Sequence, residues 1–222
     1  MCQFISFFHN PETGEVKVSD LNSHSNTEET LKLDKSKWRE GHYLPDGTVV
    51  ARVLATDHRD EPQCIFKIQQ SYPTFKDFFV WALREIAPDG NYGGSLYLGG
   101  LTSLTPGCLP KTVGGYLYLG GLTSLTPGCL PKTVGGDLDL GGLTSLTPRC
   151  LPKTVGGSLY LRGLTNLTPG CLPKTVGGSL YLRGLTSLTP GCLPKTVGGD
   201  LDLGGLNQKD KERIKKKYKN VI

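Results

Sequence analysis

The chain has no run of the roughly 18 to 20 apolar residues that a membrane helix needs, so no membrane-spanning helix and no membrane partner are expected. Its first residues, Met1-Cys2-Gln3-Phe4-Ile5-Ser6, lack a basic stretch leading into an apolar one, so no export signal is expected and the expected location is the cytoplasm. His9, His24, His42, His58 and Cys64 show none of the paired Cys or His spacings of zinc sites. The Gly-Gly pairs never open a Gly-x-Gly-x-x-Gly helix, and no phosphate-binding loop occurs. Neither a metal nor an organic cofactor is expected.

What is abundant is punctuation. Thirty Gly and fifteen Pro would suit a disordered chain, but most of them recur at fixed spacing with Leu and Val between, which marks ordered turns. Gly-Gly returns at 93, 114, 135, 156, 177 and 198, giving five full 21-residue units and a sixth that stops after Leu206. A unit reads Gly-Gly-x-Leu-x-Leu-x-Gly-Leu-Thr-Ser-Leu-Thr-Pro-Gly-Cys-Leu-Pro-Lys-Thr-Val, with rare departures such as Arg149 for Gly and Asn166 for Ser. Cys108, Cys129, Cys150, Cys171 and Cys192 share one position of it, where cysteine acts as a small buried hydrophobe suited to a reducing compartment.

Charge divides the chain in three. Residues 1–92 carry 10 basic and 14 acidic side chains, residues 93–206 carry 8 and 4, and residues 207–222 carry 7 and 2. The expected organisation is an α+β head domain (1–92), a β-rich solenoid (93–206) and a basic C-terminal capping helix (207–222) with Ile214, Tyr218 and Val221 or Ile222 at helical spacing and its Ile and Tyr side covering the last repeat. In the head, Gln3 to Phe8 and Val16 to Val18 predict a hairpin across Asn10 to Glu15, and Thr48 to Leu54 predicts a further strand. Thr74 is the expected N-cap of a helix through Phe75, Phe78, Phe79, Ala82, Leu83 and Ile86, whose spacing makes one apolar face. That face is expected to cap the first repeat.

The Leu-x-Leu core followed by Gly-Leu-Thr-Ser-Leu resembles leucine-rich repeats of the short bacterial kind, and the resemblance covers residues 93–206. The Asn that normally follows the strand is missing, and two Pro per unit exclude a long convex helix, so turns, 3₁₀ or a second short strand are expected on the return path. The Met-Cys-x-Phe-Ile-Ser head with Ser23-His24 and Gly41-His42-Tyr43-Leu44-Pro45-Asp46-Gly47, followed by such repeats, is similar to uncharacterised bacteriophage repeat proteins over nearly the whole chain. That similarity implies a phage-encoded protein in the cytoplasm of a bacterial host, and no particular activity.

Leu96, Leu98, Leu101, Leu104, Cys108, Val113 and their equivalents are the expected shared core of the stacked units. Alternation along the strand then turns three columns outward: Ser95/Tyr97/Gly99, Tyr116/Tyr118/Gly120, Asp137/Asp139/Gly141, Ser158/Tyr160/Arg162, Ser179/Tyr181/Arg183 and Asp200/Asp202/Gly204. Almost all variation between units falls there. The candidate binding residues are Tyr97, Tyr118, Asp139, Tyr160, Arg162, Tyr181, Arg183 and Asp202, residue types that interfaces favour. The purely structural alternative stacks Tyr on Tyr and pairs each Arg with a neighbouring Asp.

The leading expectation is therefore a non-enzymatic interaction protein that binds a host protein, in the sharpest version a component of host defence. A second expectation places an enzyme in the head, with Cys2 as an amino-terminal nucleophile and His24, His42, Arg52 or Asp57 in support. A third assigns nucleic-acid binding to the ladder Lys111, Lys132, Lys153, Lys174 and Lys195 with the basic tail, although no aromatic interleaves with these lysines.

Overall fold

A computed structural model describes residues 5–18, 32–33, 37–44, 48–53, 68–218 and 220–222. Residues 1–89 and 90–222 form two compact units.

In the first unit, β1 (Ile5–His9), β2 (Val16–Lys17), β3 (Arg39–Tyr43) and β4 (Val49–Val53) form an antiparallel sheet in the order β2-β1-β3-β4. The hairpin and the strand after Thr48 fall where β-branched and aromatic runs placed them. The turn between β1 and β2 is closed by Asn10, whose side-chain oxygen accepts from Glu12 N–H at 2.9 Å. Helix α1 (Phe75–Ile86) starts at Thr74 with a complete capping box: Thr74 Oγ1 accepts from Asp77 N–H, and the Asp77 carboxylate accepts from Thr74 N–H. Its apolar face buries Phe75, Phe78, Phe79, Ala82 and Leu83. Phe78 meets Phe7 of β1 edge-on at 5.2 Å and Tyr43 of β3 at 5.3 Å, so helix and sheet share an aromatic core.

The second unit is a parallel β-solenoid of about five turns with 21 residues to the turn. Each turn contributes two short strands to two six-stranded parallel sheets. The Thr-Val sheet comprises β5 (Asn91–Tyr92), β7 (Thr112–Val113), β9 (Thr133–Val134), β11 (Thr154–Val155), β13 (Thr175–Val176) and β15 (Thr196–Val197). The Leu-x sheet comprises β6 (Leu96–Tyr97), β8 (Leu117–Tyr118), β10 (Leu138–Asp139), β12 (Leu159–Tyr160), β14 (Leu180–Tyr181) and β16 (Leu201–Asp202). The return path is thus a second strand, and the pairing begins at Asn91, ahead of the first Gly-Gly.

A 21-residue repeat with two prolines folds this way because each turn satisfies its backbone through the next one: Leu96 N–H donates to Tyr116 O at 2.7 Å, and Gly114 N–H donates to Tyr92 O at 2.7 Å. The two Leu of each strand point inward with the strand Val and the Cys, and in the middle turns Leu117, Leu119, Leu122, Cys129 and Val134 are all sealed from solvent. Each such Leu contributes about 1.5 to 3 kcal/mol of burial. Cys129 Sγ also donates to Leu104 O of the preceding turn at 3.5 Å, a bond repeated by Cys150, Cys171 and Cys192. The second proline of each unit, Pro110, Pro131, Pro152, Pro173 and Pro194, is buried as well.

The corner between the sheets demands glycine for space. A Cβ on Gly156 would sit 2.2 Å from the carbonyl oxygen of Gly135 in the turn below.

The carboxy terminus closes the last turn with two devices. Helix α2 (Gln208–Lys215) is capped by Asn207, whose Oδ1 accepts from Asp210 N–H at 2.9 Å, and it buries Ile214. The expected helix over 207–222 therefore ends early. Beyond it, Tyr218 donates its hydroxyl proton to Pro194 O, and residues 220–222 lie parallel to β16: Leu201 N–H donates to Asn220 O at 2.7 Å and Leu203 N–H to Ile222 O at 3.0 Å. A strand is the better cover here because β16 otherwise leaves its edge unpaired.

Candidate functional site

The outward columns of the Leu-x sheet divide by role. In the first column, side chains tie one turn to the next: Ser95 Oγ accepts from Tyr116 N–H at 2.9 Å, Asp137 Oδ1 from Ser158 N–H at 2.7 Å, Ser158 Oγ from Ser179 N–H at 3.1 Å and Ser179 Oγ from Asp200 N–H at 3.0 Å. These bonds satisfy amides of the following turn. Five of the six residues in that column are Ser or Asp, Tyr116 being the exception, and that bias was the available sequence signal.

The second and third columns carry the candidate residues. Tyr160 and Tyr181 stack face to face, 4.6 Å apart with 3° between the rings, and the Arg162 guanidinium lies over both, 4.7 Å from Tyr160 and 5.4 Å from Tyr181. Arg183 Nε donates to Asp202 Oδ2 at 2.5 Å. Tyr97 meets Tyr116 edge-on at 5.6 Å, and Tyr116 stacks on Tyr118 at 6.2 Å. The structural alternative therefore holds for the Tyr160–Tyr181 stack and for Arg183–Asp202. All five of these column tyrosines remain half-exposed, and Arg162 and Arg183 are exposed.

Asp202 is corrected by its surroundings. Expected to face outward, it is 2 % exposed, because β16 is the last strand and residues 220–222 run along it. Asp139, in the same column three turns earlier, is half-exposed; its Oδ1 accepts from Gly141 N–H at 2.8 Å. No ion pair involves Asp137 or Asp139 among the described residues. The third column explains the difference: position 183 is Arg, which reaches the Asp of the following turn, whereas position 120, before Asp139, is Gly.

These carboxylates meet the tyrosines of the turns on either side. Tyr160 Oη lies 3.5 Å from Asp137 Oδ2. Burial first, then the charge of Asp139, the phenol of Tyr160 and the charge of Asp137, push the Tyr116 phenol up to about 12, and burial and Asp137 raise Tyr160 in the same direction. Both rings are neutral hydrogen-bonding groups at neutral pH.

The variable and constant glycines after the strand also separate physically. A Cβ on Gly142 would lie 2.3 Å from Gly120 O of the turn below, while one on Gly141 meets only the Asp139 carboxylate at 3.1 Å. The first position therefore tolerates Arg162 and Arg183, and the second stays glycine in every turn.

Lys111, Lys132, Lys153, Lys174 and Lys195 are all exposed beside the Thr-Val sheet, and their backbones are laddered, Lys132 N–H donating to Lys111 O at 2.8 Å. In the first unit His42 stands in β3 opposite Ser6 and Val50, with Nε2 3.7 Å from Glu40, and Arg52 lies in β4 opposite Glu40. Cys2, His24 and Asp57 lie outside the described residues. Among the described residues no group of three His, Cys, Asp or Glu could hold a metal, and no helix is long and apolar enough to cross a membrane.

The fold and this surface define a parallel β-solenoid with a patterned outward face. No protein-family description, curated protein or solved structure matches the chain.

Proposed function

We propose that the chain is a non-enzymatic protein–protein interaction module whose recognition surface is the outward Tyr/Asp/Arg face of the Leu-x sheet. One observation carries the reading: turns that are near copies in the core differ almost only in their outward columns. Packing alone would let those columns repeat as the core does, and a graded surface of Tyr, Asp and Arg is what a specific partner reads. On the sequence's resemblance to phage repeat proteins alone, we take a protein of the bacterial host as the partner class, with a defence component as the sharpest case.

The test replaces Tyr160, Arg162, Tyr181 and Arg183 together by alanine and compares partner capture from expressing bacteria with that of the unaltered chain. Capture is lost while the circular dichroism spectrum stays unchanged. Retained capture by the folded variant discards the proposal. The five exposed lysines favour a second reading, nucleic-acid binding along the Thr-Val edge, which requires a steep fall of affinity with salt in a DNA or RNA shift assay. A shift insensitive to salt discards it.

A further inference from the structure

The third turn differs from every other described turn in offering an acidic notch between aromatic neighbours. Asp139 pairs in register with Tyr118 on one side and Tyr160 on the other, each about 4.8 Å away along the ladder. A carboxylate reaches less far from the backbone than a phenol, so Asp139 is recessed between the longer side chains of Tyr118 and Tyr160, with Asp137 beside it in the same turn. Tyr160 approaches Asp137 from the following turn, its Oη 3.5 Å from Asp137 Oδ2. Asp139 Oδ1 is held by Gly141 N–H and Asp137 Oδ1 by Ser158 N–H, which fixes both groups and leaves the second oxygen of Asp139 without a hydrogen-bond partner among the described residues.

The molecule also contains a filled version of the same site. Residues 135–143 and 198–206 are the identical sequence Gly-Gly-Asp-Leu-Asp-Leu-Gly-Gly-Leu. In the second copy a guanidinium from the preceding turn, that of Arg183, lies on Asp202. Arg162 leans the same way, over Tyr181 of the following turn, and so away from Asp139. In the first copy the position that would supply the guanidinium is Gly120.

We propose that the notch over the third turn receives the guanidinium of an arginine from the partner protein, supplying in trans to Asp139 what Arg183 supplies in cis to Asp202. This rests on the reading of the face as a partner surface. Arginine fits better than lysine because a planar guanidinium can both pair with a carboxylate, as Arg183 does with Asp202, and lie over a phenol, as Arg162 does over Tyr160.

The test titrates N-acetyl-arginine amide into the full, isotope-labelled chain and follows amide resonances. Gly141 and Ser158 report directly, since their N–H groups are bonded to Asp139 and Asp137, and Gly204, bonded to Asp202, is the internal control. Gly141 and Ser158 shift saturably at millimolar probe while Gly204 does not. Asp139→Asn weakens the probe about tenfold, and Gly120→Arg abolishes its binding by closing the site from within. N-acetyl-lysine amide binds severalfold more weakly. Absence of saturation, equal shifts at Gly204, unaltered binding to Asp139→Asn, or lysine equal to arginine overturns the proposal. Asp139→Asn is decisive even where Gly120→Arg fails to fold. The titration needs no partner, so saturation together with retained capture by the four-alanine variant discards the partner surface and keeps the notch. Partner capture without probe saturation does the reverse.

Discussion

Residues 135–143 and 198–206 share nine identical residues, the same inward Leu pair and the same turn, in which Gly141 and Gly204 each donate an N–H to the preceding Asp. Asp139 is nevertheless half-exposed and outside any ion pair among the described residues, whereas Asp202 is buried against Arg183. Two neighbours cause this. Position 183 is Arg where position 120 is Gly, and the sixth turn is flanked by residues 220–222 where the third is flanked by another turn bearing Tyr160. In a repeat protein the chemistry of a rung is therefore set by its neighbours as much as by its own sequence.

The comparison can be broken most severely at the glycines. Gly142→Ala forces a Cβ against Gly120 O and is expected to cost about 3 kcal/mol in urea denaturation, while Gly141→Ala, facing only a side chain, costs about 1 kcal/mol. Equal costs would mean that turns can separate to admit a methyl group. Next in size, Val221→Asp places a charge where Val221 is buried and should lower stability by about 2 kcal/mol. Hydrogen exchange then speeds at the Leu201 and Leu203 amides, which donate to residues 220 and 222, and stays slow at Leu138 and Leu140.

Asp202→Ala leaves Arg183 without its carboxylate and Gly204 N–H without its acceptor, a loss of about 1 to 2 kcal/mol; Asp139→Ala forfeits one partly buried bond and no ion pair, about 0.5 kcal/mol. Thermal melts of the two variants side by side check the order. Arg149 holds φ at 69°, where Gly107, Gly128, Gly170 and Gly191 stand in other turns at 78° to 85°. Arg149→Gly should accordingly stabilise the third turn by about 1 kcal/mol. A further effect concerns alkali. The unfolded Tyr116 phenol ionises near 10.0 and the folded one near 12, so its contribution is intact below 10.0 and is lost as pH rises toward 12. Tyr116→Phe should lose less stability over that interval than the unaltered chain.

Much of this architecture was legible in the residues. The 21-residue period, the inward columns of Leu96, Leu98, Cys108 and Val113, the Thr74 cap and the apolar face of α1 follow from spacing and residue type; the Leu104 column, expected in the core, is buried only at Leu146 and Leu167. The Thr-Val strand was only one of three readings of the return path, because two residues are too few for a periodicity. The bonds of the first outward column escaped for a related reason: they join residues 21 apart in sequence.

By itself the sequence determined the repeat, its core and which columns vary, since a chain of near-identical units has to bury the same apolar positions in every turn. Only the tertiary structure decided what the varying residues do. Stacking put Arg162 over two rings, Arg183 on Asp202 and residues 220–222 along β16, and left Asp137 and Asp139 facing tyrosines with no cation between them among the described residues. The physical reason is that a side chain's partner in a solenoid comes from the adjacent turn, so identical nine-residue segments acquire different environments as soon as their neighbours differ.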